Sequence, residues 1–262
     1  MTDHPDRWPA GTPCWVDLMA GDLGRSQAFY SRILGWSYSE GSPEFGGYTS
    51  ALVGGRQVAG IAPTMPGMEE APHRWTVYLA TDDLAATDRA AAGAGAQQVA
   101  APMEVGPLGS MGLWVDPTGA VFGAWQPGRH TGFDAVDEPG SVLWCDLMTS
   151  GYAAAKDFYG SLFDYAYDES GSDDPPYAMF SVPGGERPAG GIGQVGPDTV
   201  MSGWTVTFAS ADVDEAAGLV VEAGGSVESA PSDFAWGRIL IARGPDGEQF
   251  GLVTPSGGPS DG

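Results

Sequence analysis

The chain has 262 residues, a hydrophobic fraction of 42% and nine tryptophans, enough for one or two globular cores and too apolar for a disordered polypeptide. Its net charge of −23 reflects scarce bases as much as abundant acids, with Lys156 the sole lysine beside ten arginines. A field of that sign repels phosphate backbones and anionic headgroups, so neither nucleic acid nor a membrane surface is an expected partner.

The segment ahead of Cys14 has no basic region or apolar run, and no window approaches 18 continuous apolar residues, so a cytoplasmic protein is expected. The first strand covers Cys14–Met19, an apolar run of β-compatible residues. Asp22 then caps a helix to about Leu34, with Phe29 and Ile33 four apart on one face and Gly35 ending it. A strand over Tyr48–Val53 turns through Gly54-Gly55 into another over Gln57–Ile61. Pro63–Pro72 is a loop rich in Pro, Met and Gly, and its first part, with Met65 and Met68, is either a lid or an ordinary connection. Arg74–Ala80 is a strand, and Asp82 or Asp83 opens an Ala-rich helix ending near Gly93–Gly95. A hairpin of Gly112–Asp116 and Ala120–Gln126 follows, and Pro127–Gly140, without periodicity, is a linker.

From Val142 the same order returns. Trp15-Val16-Asp17-Leu18-Met19 recurs as Trp144-Cys145-Asp146-Leu147-Met148, at an offset of 129 residues. Phe29-Tyr30 recurs as Phe158-Tyr159, Tyr48 as Tyr177, and Trp75-Thr76-Val77 as Trp204-Thr205-Val206. Helices are expected over about Ala153–Phe163 and from Asp212 to about Ala223. Strands are expected over Val142–Met148, Tyr177–Val182, near Ala189–Gln194, over Trp204–Ala209, and in the hairpin Arg238–Arg243 and Glu248–Thr254. Solenoid units run about 20 to 50 residues, so this longer period marks a duplicated module. Residues 1–126 and 141–256 are the two modules, 127–140 the linker and 257–262 a flexible tail, and each copy reads β-α-β-β-β twice over. Cys14 and Cys145 make no disulfide scaffold, and Cys145, inside an apolar strand, reads as a core residue.

The strand-to-helix segment Trp15–Asp22, Ala28-Phe29-Tyr30, Ile33-Leu34-Gly35, Asp82-Asp83-Leu84 and the hairpin Asp116-Pro117-x-Gly119-x-x-Phe122 together resemble the vicinal oxygen chelate superfamily. That group includes glyoxalase I, extradiol dioxygenases, fosfomycin-resistance enzymes and bleomycin-binding proteins. The resemblance spans nearly the whole chain, twice. It implies an α+β fold of two tandem glyoxalase-like modules, each of paired βαβββ units forming a curved sheet around a cavity. The opening Pro13-Cys14-Trp15-Val16-Asp17-Leu18-Met19 is similar to tandem actinobacterial glyoxalase-like proteins often labelled hydroxylases, a label that fold alone does not establish.

By the same resemblance, the family's three metal-ligand positions fall on Trp15, on or beside Thr76, and on Gly123, and in the second copy on Trp144, Thr205 and Gly251. None suits a divalent ion. The three histidines, His4, His73 and His130, all fall in loops or termini. The expectation is a protein with no metal and no cofactor, and no G-x-G-x-x-G fingerprint opens a helix.

Strand alternation says what lines the cups instead. Trp15, Asp17 and Met19 face the first cup while Val16 and Leu18 pack on the helix, and Trp144, Asp146 and Met148 face the second. Tyr48, Thr76, Tyr78 and Trp125 join the first, and Tyr177, Thr205 and Thr207 the second. The glycines at 123 and 251 leave space where a ligand carboxylate would stand. Such walls suit a flat, apolar, partly oxygenated molecule, unless the tryptophans simply fill the cups as core. Asp17 and Asp146 are either fold-level hydrogen-bonding groups or carboxyls raised by burial toward acid–base duty.

Three functions remain open. The leading one is metal-independent binding of a hydrophobic, aromatic or polyketide-like molecule, for sequestration or tailoring in secondary metabolism. A cofactor-free enzyme would add proton transfer by Asp17 or Asp146, in isomerase, lyase or oxygenase (hydroxylase) chemistry. A structural module with filled cups is the third. The chain is expected to be a monomer or a homodimer, the first module having the richer cup.

Overall fold

The computed structural model describes residues 7–173, 175–196 and 203–256; the expectations for His4 and for the 257–262 tail lie outside them. Strand β1 (Pro13–Ala20) opens the chain's first sheet, with Val16 and Leu18 fully buried on one face. Helix α1 (Leu23–Leu34) starts where the Asp22 carboxylate accepts from Arg25 N and ends on Gly35 at φ 70°, a left-handed position that glycine tolerates. There follow β2 (Ser37–Tyr38), β3 (Thr49–Val53), β4 (Arg56–Pro63), β5 (Trp75–Ala80), α2 (Leu84–Gly93), β6 (Gln97–Glu104), β7 (Gly109–Val115) and β8 (Val121–Pro127). The second module repeats them as β9 (Val142–Thr149), α3 (Tyr152–Phe163), β10 (Ala166–Asp173), β11 (Pro176–Ser181), β12 (Gly190–Gln194), β13 (Gly203–Ala209), α4 (Val213–Glu222), β14 (Ser226–Phe234), β15 (Gly237–Arg243) and β16 (Gln249–Pro255).

Each module is one eight-stranded sheet, in the order β2-β3-β4-β1-β5-β8-β7-β6 and its counterpart β10-β11-β12-β9-β13-β16-β15-β14. In each βαβββ unit the first strand lies parallel to the last, as β1 to β4 and β5 to β8, and the two units meet along the antiparallel pair β1–β5. The architecture is thus the expected α+β tandem. Four strands, β2, β6, β10 and β14, were not foreseen individually. β2 has two residues, and β6 is exposed along almost its whole length, so neither carries the apolar alternation that announces a strand.

The modules share an aromatic core. Trp36 packs edge-on to Phe208 at 5.4 Å, and Phe122 edge-on to Tyr159 at 5.5 Å. Polar contacts cross with the same two-fold logic. The Trp36 indole donates to Gly140 O at 2.6 Å, and its counterpart Tyr165 donates to Gly11 O at 2.5 Å. The Tyr30 hydroxyl donates to Glu248 and the Tyr159 hydroxyl to Asp116, both at 2.9 Å. Asp116 and Glu248 are not equivalent in sequence. Asp116 precedes its turn and Ala120 follows it, whereas Gly244 precedes the other turn and Glu248 follows it. A Cβ on Gly244 would lie 2.0 Å from the Glu248 carboxylate, so the acid occupies the same space from the opposite side of the turn.

The linker is part of the fold. Phe133 and Ala135 are buried, Phe133 N donates to Cys14 O at 2.9 Å, and Asp134 exchanges backbone and side-chain bonds with Gln57. Among the described residues no helix is long and apolar enough to cross a membrane.

Candidate functional site

The face of β1 opposite α1 carries Trp15, Asp17 and Met19, as alternation requires. Across the β1–β5 pair, Trp15 stands opposite Tyr78 and Asp17 opposite Thr76, and on the other side Asp17 is level with Gly60. The Tyr48 hydroxyl lies over Gly60, where a Cβ would come within 1.7 Å of it, and accepts from the Trp15 indole at 2.8 Å. Gly60 therefore holds the Tyr48 ring in the cup. The structure thus brings Trp15, Asp17, Tyr48, Thr76 and Tyr78 together, with Met19 beside them on β1.

The space expected over Gly123 is taken. Tyr78 is level with Gly123, and a Cβ there would lie 2.3 Å from the Tyr78 ring; in the second module Thr207 covers Gly251 at 2.6 Å. The expectation of an empty gap is corrected: the side chain of the neighbouring strand fills it.

One end of the first cup is closed. Trp15, Tyr78 and Trp125 are buried, and the linker folds over them. The His130 ring lies edge-on to Trp15 at 4.3 Å, Phe133 lies against Trp15 at 5.6 Å, and the Trp125 indole donates to His130 O at 2.9 Å. Neither His130 nor Phe133 was foreseen as a cup residue, since nothing in the linker's composition shows where it crosses the sheet. The other end is less enclosed: Asp17, Met19, Tyr48 and Thr76 are half-buried.

Burial pushes the Asp17 carboxyl from its ordinary 3.8 up to about 7, and the facing Tyr78 hydroxyl offsets part of that rise. Burial also raises the Tyr48 and Tyr78 phenols, with the Asp17 charge adding to it, so both keep their protons.

The second cup is bonded differently. Asp146 accepts from the Tyr177 hydroxyl at 2.6 Å and the Trp144 indole at 2.8 Å, and that indole also lies 3.0 Å from Tyr177 Oη. Desolvation raises Asp146 as well, but these two donors pull it back. Thr205 Oγ1 donates to Asp146 O at 3.2 Å, and the Met148 thioether covers Gly193. Beside this cup lies a cavity of about 670 Å³ whose lining includes Trp8, Phe133, Val142, Trp144, Val182 and Arg187.

The metal positions implied by the fold are poor in donors. Trp15 is engaged with Tyr48, Gly123 is covered by Tyr78, and Thr76 is the one side chain left with an oxygen. Among the described residues no three His, Cys, Asp or Glu side chains cluster in a way that could hold a metal ion. These positions do not fit a divalent cation. Cys14 and Cys145 are both buried and unpaired as thiols, and burial pushes both up, away from thiolate chemistry.

Known proteins resemble this chain in sequence and in fold. Residues 15–124 match the glyoxalase-like domain family, and residues 141–252 the glyoxalase/bleomycin resistance protein/dioxygenase superfamily. The chain is 35% identical over 261 residues to the anthracycline biosynthesis protein DnrV of Streptomyces peucetius, covering 94% of both chains. It is 34% identical over 256 residues to the putative glyoxylase CFP32 of Mycobacterium bovis, covering 94% of this chain and 95% of that one. In fold it is similar to a Mn(II)-bound glyoxalase from Novosphingobium aromaticivorans, with a TM-score of 0.65 at 14% identity over 94% of this chain and 82% of that chain. The 2,3-dioxygenase LapB from Pseudomonas sp. KL28 gives a TM-score of 0.62 at 12% identity, over 97% and 95% of the two chains.

Proposed function

The chain belongs to the glyoxalase/bleomycin resistance protein/dioxygenase superfamily, and from that premise we propose that its first module binds an aromatic, polyketide-like molecule without a metal ion. One observation carries this reading: the half-buried Asp17 carboxyl sits among the aromatic side chains of Trp15, Tyr48 and Tyr78 on one face of the sheet. Indole and phenol faces offer apolar area to a fused ring system, and the hydroxyls and the carboxyl engage its oxygens. The likeness to a protein of anthracycline biosynthesis supports an aromatic polyketide as the ligand class. The donor-poor metal positions support recognition by side chains alone.

The test is a fluorescence titration of the nine tryptophans with a hydroxylated anthraquinone, before and after dialysis against a chelator. Saturable quenching unaffected by the chelator supports the reading. Binding that requires an added divalent ion, or no binding, overturns it.

The Asp17 environment favours a second, catalytic reading. A carboxyl titrating near neutrality is suited to taking a proton from a phenol or from carbon beside a carbonyl, while Tyr78 or Tyr48 donates to the oxygen that gains charge. Under this reading Asp17→Asn keeps ligand affinity within a fewfold and abolishes turnover. A variant that turns over normally removes Asp17 from the chemistry.

A further inference from the structure

We infer that the cavity of about 670 Å³ beside β9 is a second small-molecule site, and that it takes a flat aromatic amine carried as a monocation. The site is separate from the first cup and does not depend on how that cup is read.

The pseudo-two-fold relation between the modules shows why the space exists. In the first module the linker covers the starts of β1 and β4. Phe133 N donates to Cys14 O, Asp134 N donates to Gln57 O, and Gln57 N donates to the Asp134 carboxylate. The counterpart of Cys14 is Leu143, at the offset of 129 residues. The counterpart of Gln57 is Pro188, since the two stand equally far ahead of Gly60 and Gly191, the glycines under Tyr48 and Tyr177. Leu143 and Pro188 both line the cavity. Pro188 has no N–H, so the bond that Gln57 donates to the linker has no equivalent there. The second module thus keeps as a cavity the surface that the first gives to the linker, and its volume is that of a small-ligand pocket.

The walls are apolar. Trp8 and Phe133 pack edge-on at 6.0 Å on one side, and Val142, Trp144 and Val182 belong to the second module. The Trp144 N–H is spent within the second cup on Asp146 and Tyr177, so Trp144 has only carbon to offer the cavity.

The charge of the lining selects the sign of the ligand. Arg187 pairs with Asp137 at 2.5 Å, while Glu186 makes no ion pair with a described residue, so the lining carries one carboxylate in excess. Asp137 is held firmly: its φ of 62° is one of two positive values among the described non-glycine residues, and its N–H donates to Val142 O. The net charge of −23 draws cations toward the same rim. An aromatic ring with an ammonium group satisfies both the walls and the excess charge, whereas a ring bearing a carboxylate meets repulsion.

Calorimetric titration of the full chain with naphthylmethylamine, naphthylmethanol and naphthoate compares a cation, a neutral molecule and an anion on one ring system. The amine should bind tightest and the naphthoate weakest. Glu186→Gln, at an exposed position, should weaken the amine about two- to fivefold, the size of one exposed ion pair, and change the alcohol less than about 1.5-fold. Leu143→Trp puts added volume into the cavity and should weaken amine and alcohol alike by about tenfold or more, its melting temperature showing that the fold is kept. An amine that binds no tighter than the alcohol, a Glu186→Gln variant that treats all three ligands as the wild type does, or a folded Leu143→Trp variant that binds the amine unchanged would overturn the inference. Should Leu143→Trp fail to fold, the charge comparison in Glu186→Gln decides alone.

Discussion

The Tyr177 hydroxyl donates to Asp146 at 2.6 Å, a contact that its counterpart Tyr48 does not make with Asp17. In the second cup Tyr177 and Trp144 both spend their hydrogens on the acid. In the first, Trp15 donates to Tyr48 and the acid faces Tyr78, a phenol that the second module replaces with Thr207. Asp146 thus receives two hydrogen bonds from its own cup that Asp17 lacks, and Tyr78 offsets only part of the desolvation of Asp17.

Asp17 should therefore weaken the fold above neutral pH. Its folded pKa is raised, so the unfolded chain ionises first, near 3.8, while the folded chain holds its proton to about 7. Stability is fully present below about 4, falls as pH rises toward about 7 and then stays reduced. The gap is worth about 4 kcal/mol at most, and residual solvent access at this half-buried group discounts it. Asp17→Asn should be more stable than wild type at pH 8 and close to it at pH 4. Urea unfolding at both values decides; a variant less stable at pH 8 would refute the assignment.

Asp146→Asn should gain less at pH 8 than Asp17→Asn, because the carboxylate it removes already receives two hydrogen bonds. The same unfolding series measures both variants, and the reverse order would show that the two environments have been exchanged.

Gly60→Ala should displace Tyr48, whose hydroxyl stands 1.7 Å from the new methyl. The cost is about 1–3 kcal/mol of overpacking, with loss of the Trp15 indole's acceptor. A lower melting temperature together with changed Trp15 emission would confirm it; a silent substitution would place Tyr48 elsewhere. Gly191→Ala, where the Tyr177 hydroxyl lies 2.0 Å away, should behave alike.

The two inter-module carboxylates predict strong non-additivity. Glu248→Ala strands the buried Tyr30 hydroxyl, and Gly244→Asp alone collides with Glu248, so each should cost about 2–4 kcal/mol. The double variant rebuilds the Asp116–Ala120 pattern of the first module and should recover to within about 1 kcal/mol of wild type. Denaturant midpoints of the three proteins give the coupling directly; additive losses would rule out a shared position for the two acids.

Much of this was legible in the sequence wherever a side chain repeats with a physical period. Phe29 and Ile33 marked the buried face of α1, and the doubled Trp-x-Asp-x-Met marked a strand with one polar face. Strand β14 was illegible because almost every residue along it is exposed, and its pairing is set by β15 rather than by its own pattern. The cup residues on adjoining strands followed from alternation. His130 and Phe133 did not, since their place depends on where a loop crosses the sheet, which main-chain bonds to Pro107, Leu108 and Cys14 decide. The filling of the space over Gly123 was equally hidden, because it depends on the rotamer of Tyr78.

The crossed pairs Tyr30–Glu248 and Tyr159–Asp116 leave each half of the chain with one tyrosine to give and one carboxylate to receive. Each half is therefore self-complementary: two copies of the first can satisfy Tyr30 with Asp116, and two of the second can satisfy Tyr159 with Glu248. The covalent connection fixes which halves meet, while the surface they meet through is that of a symmetric pair. Separated halves should be able to associate with their own kind as well as with each other, the mixed pair alone keeping the Arg25–Asp246 ion pair.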